Sequence, residues 1–319
     1  MTRSIALAAG AALSLLAGPV LAQGSPARGC DRACLTDVLD QYLAALVARD
    51  ASGLNLHYSV KYTENGQRLN LTDGLWRTFS SGPSYRLDVV DADSGQIAML
   101  GILNENGNEN FFSVRIAVEE NQKAGRGVEI TEIENLIVRN NTRIGAANMP
   151  VGLRPEFTRT VPEGERLARG ELTAIADSYF TGLDTEESAE VTPFADTCRR
   201  FENGSNTANN PDGEPGTMIA FGCAEQFDTG FSIIVTDIRE RRYPVVDRER
   251  GLVYALGFFD HDGAVLSYNA ENGQESERMI PLRQPFSFMI AEVFQIEDAR
   301  INQVEAVLTT VPYKMDSGW

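Results

Sequence analysis

The side chains best suited to move protons are a histidine, two tyrosines and a glutamate in the second half of the 319-residue sequence. His261 stands in "FFDHDG" at the end of a predicted strand, and its imidazole can accept and donate protons near neutral pH. Tyr243 and Tyr179 can donate hydrogen bonds, and Glu202 becomes a general base if burial raises its pKa. These four residues form the predicted catalytic set. The alternative for His261 is a solvated residue of a turn.

Other side chains are suited to hold a substrate. Arg242 lies in the basic stretch "RERRYPVVDRER", and its guanidinium could hold a carboxylate or an enolate with two hydrogen bonds. The alternative for Arg242 is a surface ion pair with a neighbouring acidic residue. The other predicted binding residues come from the first half of the chain: Tyr42, Glu64, Trp76 and Arg86. Tyr42 could instead be a core aromatic, and Glu64 could belong to a turn that ends a strand.

Several of these candidates occupy matched positions because the sequence contains an internal repeat. "LTDVLDQYLAALVARD" (35–50) aligns with "LTAIADSYFTGLDTEE" (172–187), which pairs Tyr42 with Tyr179. The tripeptide Glu-Asn-Gly occurs at 64–66 and at 202–204, and residues 74–107 align without a gap on 230–263. Further on, "FFSVRIA" aligns with "PFSFMIA" and "EIENLIV" aligns with "QVEAVLT". One order of matches along two halves predicts two copies of one domain.

Each copy has the pattern of helices followed by strands. Apolar residues recur at steps of three and four from Leu35 to Leu46, which predicts an amphipathic helix. "SYRLDVVDADSGQIAMLGIL" predicts an antiparallel hairpin, and the later runs continue it. The predicted fold class is α+β, with helices on one face of an antiparallel sheet in each of two tandem domains. The predicted boundaries are 23–148 for the first domain, 149–166 for a linker and 167–319 for the second domain, which carries two insertions.

The first 22 residues, "MTRSIALAAGAALSLLAGPVLA", have the composition of a secretory signal peptide. Their apolar run is too short to span a membrane, and no later run reaches the roughly 20 apolar residues that a span needs. The formal net charge is −17, and the chain lacks the basic stripe that phosphate binding requires. We therefore expect a secreted or periplasmic protein that binds neither nucleic acid nor membranes.

Four cysteines in an exported chain predict two disulfides, although four cysteines allow three pairings. Cys198 and Cys223 flank one insertion, which favours this pair and leaves Cys30 with Cys34. A zinc site is disfavoured because CxxC spacing is absent and the sequence has only two histidines. "DHDG" lacks the rest of a calcium loop, and no phosphate-binding or dinucleotide-binding motif occurs. The sequence therefore predicts neither a metal nor a cofactor.

The order of elements resembles the nuclear-transport-factor-2-like, or SnoaL-like, fold, in which helices pack on a curved sheet to form a cone. The resemblance is carried by the opening helix that ends near Asp50, the strand "VKYTENGQ" and the short helix "DGLWRTF", and it covers both copies. It implies tandem cone-shaped domains, each with an apolar pocket, that pack sheet to sheet within the chain. It also implies that Tyr42 or Tyr179 could donate a hydrogen bond to an enolate, as in ketosteroid isomerase.

The leading hypothesis is an exported, cofactor-independent lyase, dehydratase or isomerase that acts on a small sugar- or aromatic-derived molecule by acid–base chemistry. The second copy is the better candidate because it alone has His261, Tyr243 and the insertions. Two alternatives stay open. One is a protein that binds an apolar ligand without changing it. The other is a structural interaction module whose cones are filled by side chains, and the fold alone does not decide among the three.

Overall fold

The computed structural model describes residues 29–120, 127–139, 152–184, 190–265, 267–269, 275–277 and 284–319. The predicted signal peptide and the first residues of the predicted linker lie outside the described residues. The helices are α1 (Arg32–Ala48), α2 (Arg169–Asp184) and the short α3 (Cys223–Phe227). Single turns of 3-10 helix cover Gly74–Arg77, Pro155–Thr158, Glu163–Glu165 and Phe231–Ile234.

The strands form two six-stranded sheets with the same order, in agreement with the predicted repeat. The first sheet has the order β2-β1-β6-β5-β4-β3, with β1 (Leu56–Glu64), β2 (Gln67–Arg68), β3 (Phe79–Asp91), β4 (Gln96–Glu105), β5 (Asn108–Glu120) and β6 (Val128–Val138). The second has the order β8-β7-β14-β13-β10-β9, with β7 (Phe194–Glu202), β8 (Ser205–Ala208), β9 (Asp237–Asp247), β10 (Leu252–His261), β13 (Phe286–Glu297) and β14 (Arg300–Val311). A separate ribbon pairs β11 (Ser267–Asn269) with β12 (Glu275–Glu277).

Each sheet is mixed, which corrects the prediction of purely antiparallel sheets. β1 runs parallel to β6, and β7 runs parallel to β14, whereas the other described pairs are antiparallel. Hairpin signals specify only strands that are neighbours in sequence. The first and last strands of each copy pair over a long distance in sequence, and such parallel partners need a crossover connection. The chain thus has two sheet-rich domains with few helices.

The repeated Glu-Asn-Gly forms the same tight turn in both copies. Asn65 and Gly66 have φ values of 47° and 77°, and Asn203 and Gly204 have values of 42° and 81°. Two successive residues with positive φ define a type I′ turn, whose twist matches the paired strands and which favours Asn-Gly. The tripeptide therefore connects β1 to β2 and β7 to β8, which explains why it recurs.

Each domain has an apolar core between its long helix and one face of its sheet. Asp31 caps α1 by accepting a hydrogen bond from the N–H of Cys34, and the buried stripe of α1 includes Leu35, Leu39 and Leu46, as the periodicity predicts. α2 presents the equivalent stripe in the second domain. The two cores are separate clusters of buried side chains.

A third apolar cluster joins the opposite faces of the two sheets. Leu87, Val89 and Leu100 of the first sheet are fully buried in it together with Val245 and Leu252 of the second. Because successive strand residues point to opposite faces, each sheet buries both of its sides. The two sheets therefore pack face to face within one chain.

Two aspartates, one in each domain, pair with arginines of the opposite domain, and the two pairs are related by twofold pseudosymmetry. Asp247 of the second domain binds the guanidinium of Arg32 in the first with two hydrogen bonds, at 2.6 and 3.0 Å. The equivalent Asp91 of the first domain binds Arg169 of the second. Each aspartate also accepts a backbone N–H from the opposite domain. This reciprocity is the geometry of an isologous dimer interface, here made between two repeats.

The segment that follows β14 crosses to the first domain and ends on its Glu-Asn-Gly turn. The indole N–H of Trp319 donates to the hydroxyl of Thr63 at 3.0 Å, and its ring lies against the side chains of Lys61 and Arg115. Gly318 has φ +76°, and a Cβ there would lie 2.3 Å from the carbonyl oxygen of Gly66. The two backbones can approach this closely only because Gly318 has no side chain.

Replacing Trp319 by alanine is expected to lower the free energy of unfolding by about 2 kcal/mol, because the ring covers two cationic side chains and its N–H is paired. Urea denaturation of the two proteins measures the difference. Tyr313→Ala is the matched control, since that ring is exposed, and its effect should stay within about 0.5 kcal/mol. Equal effects of the two substitutions would contradict the assigned contact.

Candidate functional site

His261 lies at the end of β10, and its side chain is buried rather than solvated. The imidazole stacks on Phe286 with a centroid distance of 4.6 Å, and its Nδ1 lies 2.8 Å from the carbonyl oxygen of Ile234. A ring nitrogen held by a carbonyl must carry its proton, which fixes one tautomer. His261 stands six strand positions from Ala255, or about 20 Å along β10. Ala255 is the cross-strand neighbour of Glu292, which belongs to the buried polar group described next. At this distance His261 is not part of that group.

A buried polar group does occur on the helix-facing side of the second sheet. It consists of Tyr179 on α2, Arg200 and Glu202 on β7, and Glu292 on β13. The guanidinium of Arg200 lies 3.4 Å from the hydroxyl of Tyr179 and 3.0 Å from the carboxylate of Glu202. Tyr179, Arg200 and Glu292 are buried, whereas Glu202 is partly exposed. The group therefore extends from the surface into the core, and we call it the inner polar cluster.

Glu292 is the chemically distinctive member of the inner polar cluster. Burial raises the pKa of its carboxyl to about 8, the charge of Glu202 adds to the rise, and Arg200 opposes it. Its Oε2 is buried without a hydrogen-bond partner among the described residues. Burial also raises the pKa of the Tyr179 hydroxyl, which keeps it protonated as a donor. A buried carboxyl whose pKa lies near 8, within electrostatic reach of Arg200 and Glu202, is a candidate for acid–base chemistry.

The residues next to Glu292 are smaller than their counterparts in the first domain. Glu292 lies between Ala255 of β10 and Ala306 of β14, and cross-strand neighbours share one face. The equivalent positions of the first sheet hold Met99, Val114 and Asn135. At these positions the second domain thus has a carboxyl group between two alanine methyl groups, whereas the first domain has larger, uncharged side chains.

Sequence reasoning missed Glu292 because of a register error. The alignment of "FFSVRIA" with "PFSFMIA" places Val118 opposite Glu292. In the structure Met99 pairs with Val114 and Ala255 pairs with Glu292, so the true counterpart of Glu292 is Val114, four residues away. The signal that could have found it is a lone acid in the apolar run "FSFMIAEVF".

Tyr243 has a different partner. Its hydroxyl donates to a carboxylate oxygen of Asp177 at 2.5 Å. Burial raises the pKa of Tyr243, with Asp177 as the next cause and Glu292 as a smaller one. Tyr243 thus lies within electrostatic reach of Glu292, while its proton is held by Asp177.

Arg242 faces the first domain rather than the core of its own domain. Its guanidinium binds the buried carboxylate of Glu134 at 2.5 and 3.1 Å, and it lies near the ring of Trp319. This arrangement corresponds to neither a pocket anchor nor a surface ion pair. Arg242 is a contact between the two repeats.

The predicted binding residues of the first copy lie in its core and on its surface. The Tyr42 hydroxyl donates to Asn135 at 3.1 Å, and its ring meets Trp76 edge to face. Glu64 accepts from the backbone N–H of Leu75 at 2.7 Å and pairs with Arg139, so it holds the 3-10 helix that starts at residue 74.

Arg86 lies apart from that core. Its guanidinium binds the carboxylates of Asp40 and Asp88. The pair with Asp40 connects β3 to α1, and the pair with Asp88 lies within β3, so Arg86 has a structural role.

Both disulfides have the predicted pairing, Cys30 with Cys34 and Cys198 with Cys223. The second bridge links β7 to α3, close to the inner polar cluster. Two disulfides are typical of proteins that fold in an oxidising compartment. None of the described helices is long and apolar enough to cross a membrane. Within the described ranges no group of three or more His, Cys, Asp or Glu side chains could hold a metal ion.

Removal of the Cys198–Cys223 bridge by paired serine substitutions is expected to lower stability by about 3 kcal/mol, because it releases a loop that spans 25 residues. The Cys30–Cys34 bridge spans only 4 residues, so its removal is expected to have the smaller effect, under about 2 kcal/mol. Thermal and urea unfolding of the two double variants provide the comparison. The reverse order would contradict this expectation.

Fold and site together define a class of protein with two tandem sheet-rich domains, of which the second carries a buried glutamate with a raised pKa. Residues 165–308 match the model of a family described as a domain of unknown function, DUF8021. The matched segment covers most of the second domain and contains the whole inner polar cluster. A comparison with curated proteins finds no match.

Among solved structures, AusH from Aspergillus nidulans is similar at 11% identity and a TM-score of 0.29. The similarity covers 47% of this chain and 90% of AusH. A likeness at this level carries no argument about function.

Proposed function

We propose that the second domain is an acid–base site for a small organic molecule and that Glu292 is its proton-transferring group. The chain would then be an exported, cofactor-independent lyase, dehydratase or isomerase. The observation that carries the proposal is the buried Glu292 carboxyl with its pKa near 8 and one oxygen without a partner. A group in this state costs stability, so its presence favours a chemical role.

The proposed reaction starts with proton abstraction next to a carbonyl group. Glu292 takes the proton from carbon, and the bonding electrons pass to the carbonyl oxygen to form an enolate. Tyr179 and Arg200 donate hydrogen bonds to that oxygen as its charge develops. Return of the proton to another carbon gives isomerisation. Loss of a neighbouring hydroxyl, protonated by Glu292, gives water and an alkene, so no oxidant or reductant is needed.

We also propose that both domains are nuclear-transport-factor-2-like cones. The common strand order of the two sheets and the position of α1 and α2 on one face of each support this assignment. In such a cone the inner polar cluster would lie at the pocket wall, and α3 with its disulfide would border the pocket entrance. The residues of the original catalytic set that remain in this proposal are Tyr179 as a donor and Glu202 as the charge that tunes Glu292.

The filled core of the first domain favours a structural role for that domain. Tyr42, Tyr62, Trp76, Phe79 and Phe112 fill its core, and Val114 stands where the second domain has Glu292. We propose that the first domain serves mainly as the partner that covers the outer face of the second sheet. A chain whose two cores are both filled would be an interaction module without catalysis.

The test is a ligand screen by thermal shift with mass detection of products. The mature protein, Glu292→Gln and His261→Ala are incubated with sugars, uronic acids, phenolics and steroids. We expect a compound that the wild type and His261→Ala convert and that Glu292→Gln binds unchanged. Conversion by Glu292→Gln at the wild-type rate would refute the assigned base. Equal stabilisation of all three proteins without a product would favour a binding protein.

A further inference from the structure

The tripeptide Glu-Asn-Gly also forms the turn between β4 and β5, at residues 105–107. Asn106 and Gly107 have φ values of 48° and 90°, close to those of the turns at 65–66 and 203–204. The asparagines of these three turns therefore share both neighbouring residues and the same positive φ. A further copy at 271–273 lies outside the described residues. Differences in reactivity among the three asparagines must come from the contacts and the exposure of each turn.

Two of these asparagines are held by the backbone of the neighbouring strand. The side-chain amide of Asn65 donates to the carbonyl oxygen of Ile137 at 3.0 Å and accepts the N–H of the same residue at 2.8 Å. Asn203 makes the equivalent pair of hydrogen bonds with Leu308, at 2.9 and 3.0 Å. Both hydrogen bonds must break before either side chain can turn toward another group.

The side chain of Asn106 is exposed, and no hydrogen bond within the described part of the chain involves its amide group. The backbone of this turn is held instead. The N–H of Asn106 donates to the carbonyl oxygen of Thr78 at 3.1 Å, and the N–H of Gly107 donates to the side-chain oxygen of Asn104 at 2.7 Å. The second of these hydrogen bonds is exposed, so water can replace Asn104 as the acceptor.

The glycine that follows each asparagine also differs in its surroundings. Gly107 is exposed, and a Cβ added there would meet no atom within 4 Å. Gly66 and Gly204 are buried. A Cβ at Gly66 would lie 3.0 Å from Met315 and 3.4 Å from the carbonyl oxygen of Ser317. Of the three turns, the one at Gly107 thus has the most room for its backbone to move.

We propose that Asn106 is a site of spontaneous deamidation, and that Asn65 and Asn203 resist this reaction in the folded protein. The backbone nitrogen of Gly107 bonds to the side-chain carbonyl carbon of Asn106, and the bond from that carbon to the amide nitrogen breaks. The amide nitrogen leaves as ammonia with the proton that Gly107 loses, and a cyclic succinimide remains. Water then opens the ring at either carbonyl group, which gives aspartate or isoaspartate. A following glycine favours the attack because it has no side chain to hinder the approach.

The product carries a new carboxylate in the first domain. It lies next to Glu105, a buried carboxylate that binds the guanidinium of Arg139 with two hydrogen bonds at 2.8 Å. Isoaspartate also adds a carbon atom to the main chain between β4 and β5. The modification is independent of Glu292, which belongs to the second domain.

The test follows the folded mature protein during incubation in a mildly alkaline buffer. Samples are digested at acidic pH, and mass spectrometry with electron-transfer fragmentation measures aspartate and isoaspartate at each asparagine. We expect the products to accumulate at Asn106 at least about tenfold faster than at Asn65 or Asn203, because two hydrogen bonds hold each of the latter. No product at Asn106, or equal or faster reaction at Asn65 or Asn203, would overturn the proposal.

Two comparisons assign the difference to the fold. In guanidinium chloride the three asparagines keep the same neighbours but lose their contacts, so their rates should become similar. In Asn106→Gln the products should disappear from the peptide that contains this turn, because the longer side chain closes its ring less readily. Asn108→Gln, a matched change at an exposed asparagine of the same segment, should retain them at Asn106. A difference that persists in guanidinium chloride, or loss of the products in Asn108→Gln alone, would also overturn the proposal.

Discussion

Replacing Glu292 by glutamine is expected to stabilise the protein increasingly as the pH rises from 5 to 8. The folded protein holds the Glu292 proton up to a pKa of about 8, whereas an ordinary glutamate releases it near 4.5. Unfolding therefore releases a proton in this interval, and the wild type loses stability as the pH rises. The full pKa shift corresponds to a loss of roughly 3–5 kcal/mol in the free energy of unfolding of the wild type at pH 8. Urea denaturation at pH 5, 6, 7 and 8 measures it.

Two further variants make the Glu292 experiment specific. Glu292→Val introduces the residue that the first copy has at this position, and it should remove the same pH dependence, since Arg200 retains Glu202 as its partner. Glu297→Gln changes a partly exposed carboxylate on the same strand and should keep the wild-type slope. If Glu292→Gln and the wild type show parallel stability curves across this interval, the raised pKa is refuted.

Removal of either aspartate at the domain interface is expected to lower stability by roughly 3 kcal/mol. Asp247→Ala removes the acceptor of the Val90 N–H and leaves Arg32 with Glu249 alone, and Asp91→Ala removes the acceptor of the Val246 N–H and leaves Arg169 with the carbonyl oxygen of Pro244 alone. Removing a buried carboxylate has this effect because its backbone N–H partner stays desolvated and the partly exposed guanidinium loses its counter-charge. The pseudosymmetry predicts similar losses for the two variants.

The control for the aspartate variants is Asp93→Ala, an exposed aspartate in the same turn as Asp91. Its effect should stay within about 0.5 kcal/mol. Denaturation followed by both fluorescence and circular dichroism also reports whether the domains unfold together. We expect one transition in the wild type and two in the aspartate variants. A loss of less than about 1 kcal/mol in the free energy of unfolding for Asp91→Ala would contradict the role assigned to these contacts between the domains.

The parts of the fold that could be predicted depend on signals that are local in sequence. The stripe from Leu35 to Leu46 predicts α1, Asp91–Gly95 marks a hairpin turn, and Asn-Gly favours a type I′ turn. No local sequence signal specifies the pairing of β1 with β6, because β1 joins whichever edge of the sheet is still unpaired. The two parallel pairs could therefore not be predicted from local patterns.

The site was less predictable for two physical reasons. Glu292 is recognisable only after the strand register is known, since a shift by four residues replaces its true counterpart Val114 by Val118. The roles of Arg242 and Asp247 depend on partners in the other domain, more than 100 residues away in sequence. Residue type alone favoured His261 over Glu292, although burial raises the pKa of the glutamate to about 8.

The contact between Gly318 and Gly66 has a consequence for the order of folding. The first domain is synthesised long before the segment that follows β14, yet Trp319 covers Lys61 and Thr63 of that domain. Domains of most chains fold one after another as they are made. Here the first domain must wait, partly uncovered, while the roughly 180 residues that follow β6 are made. Long-range closure of this kind slows folding and makes the late intermediate the species that is most exposed to aggregation.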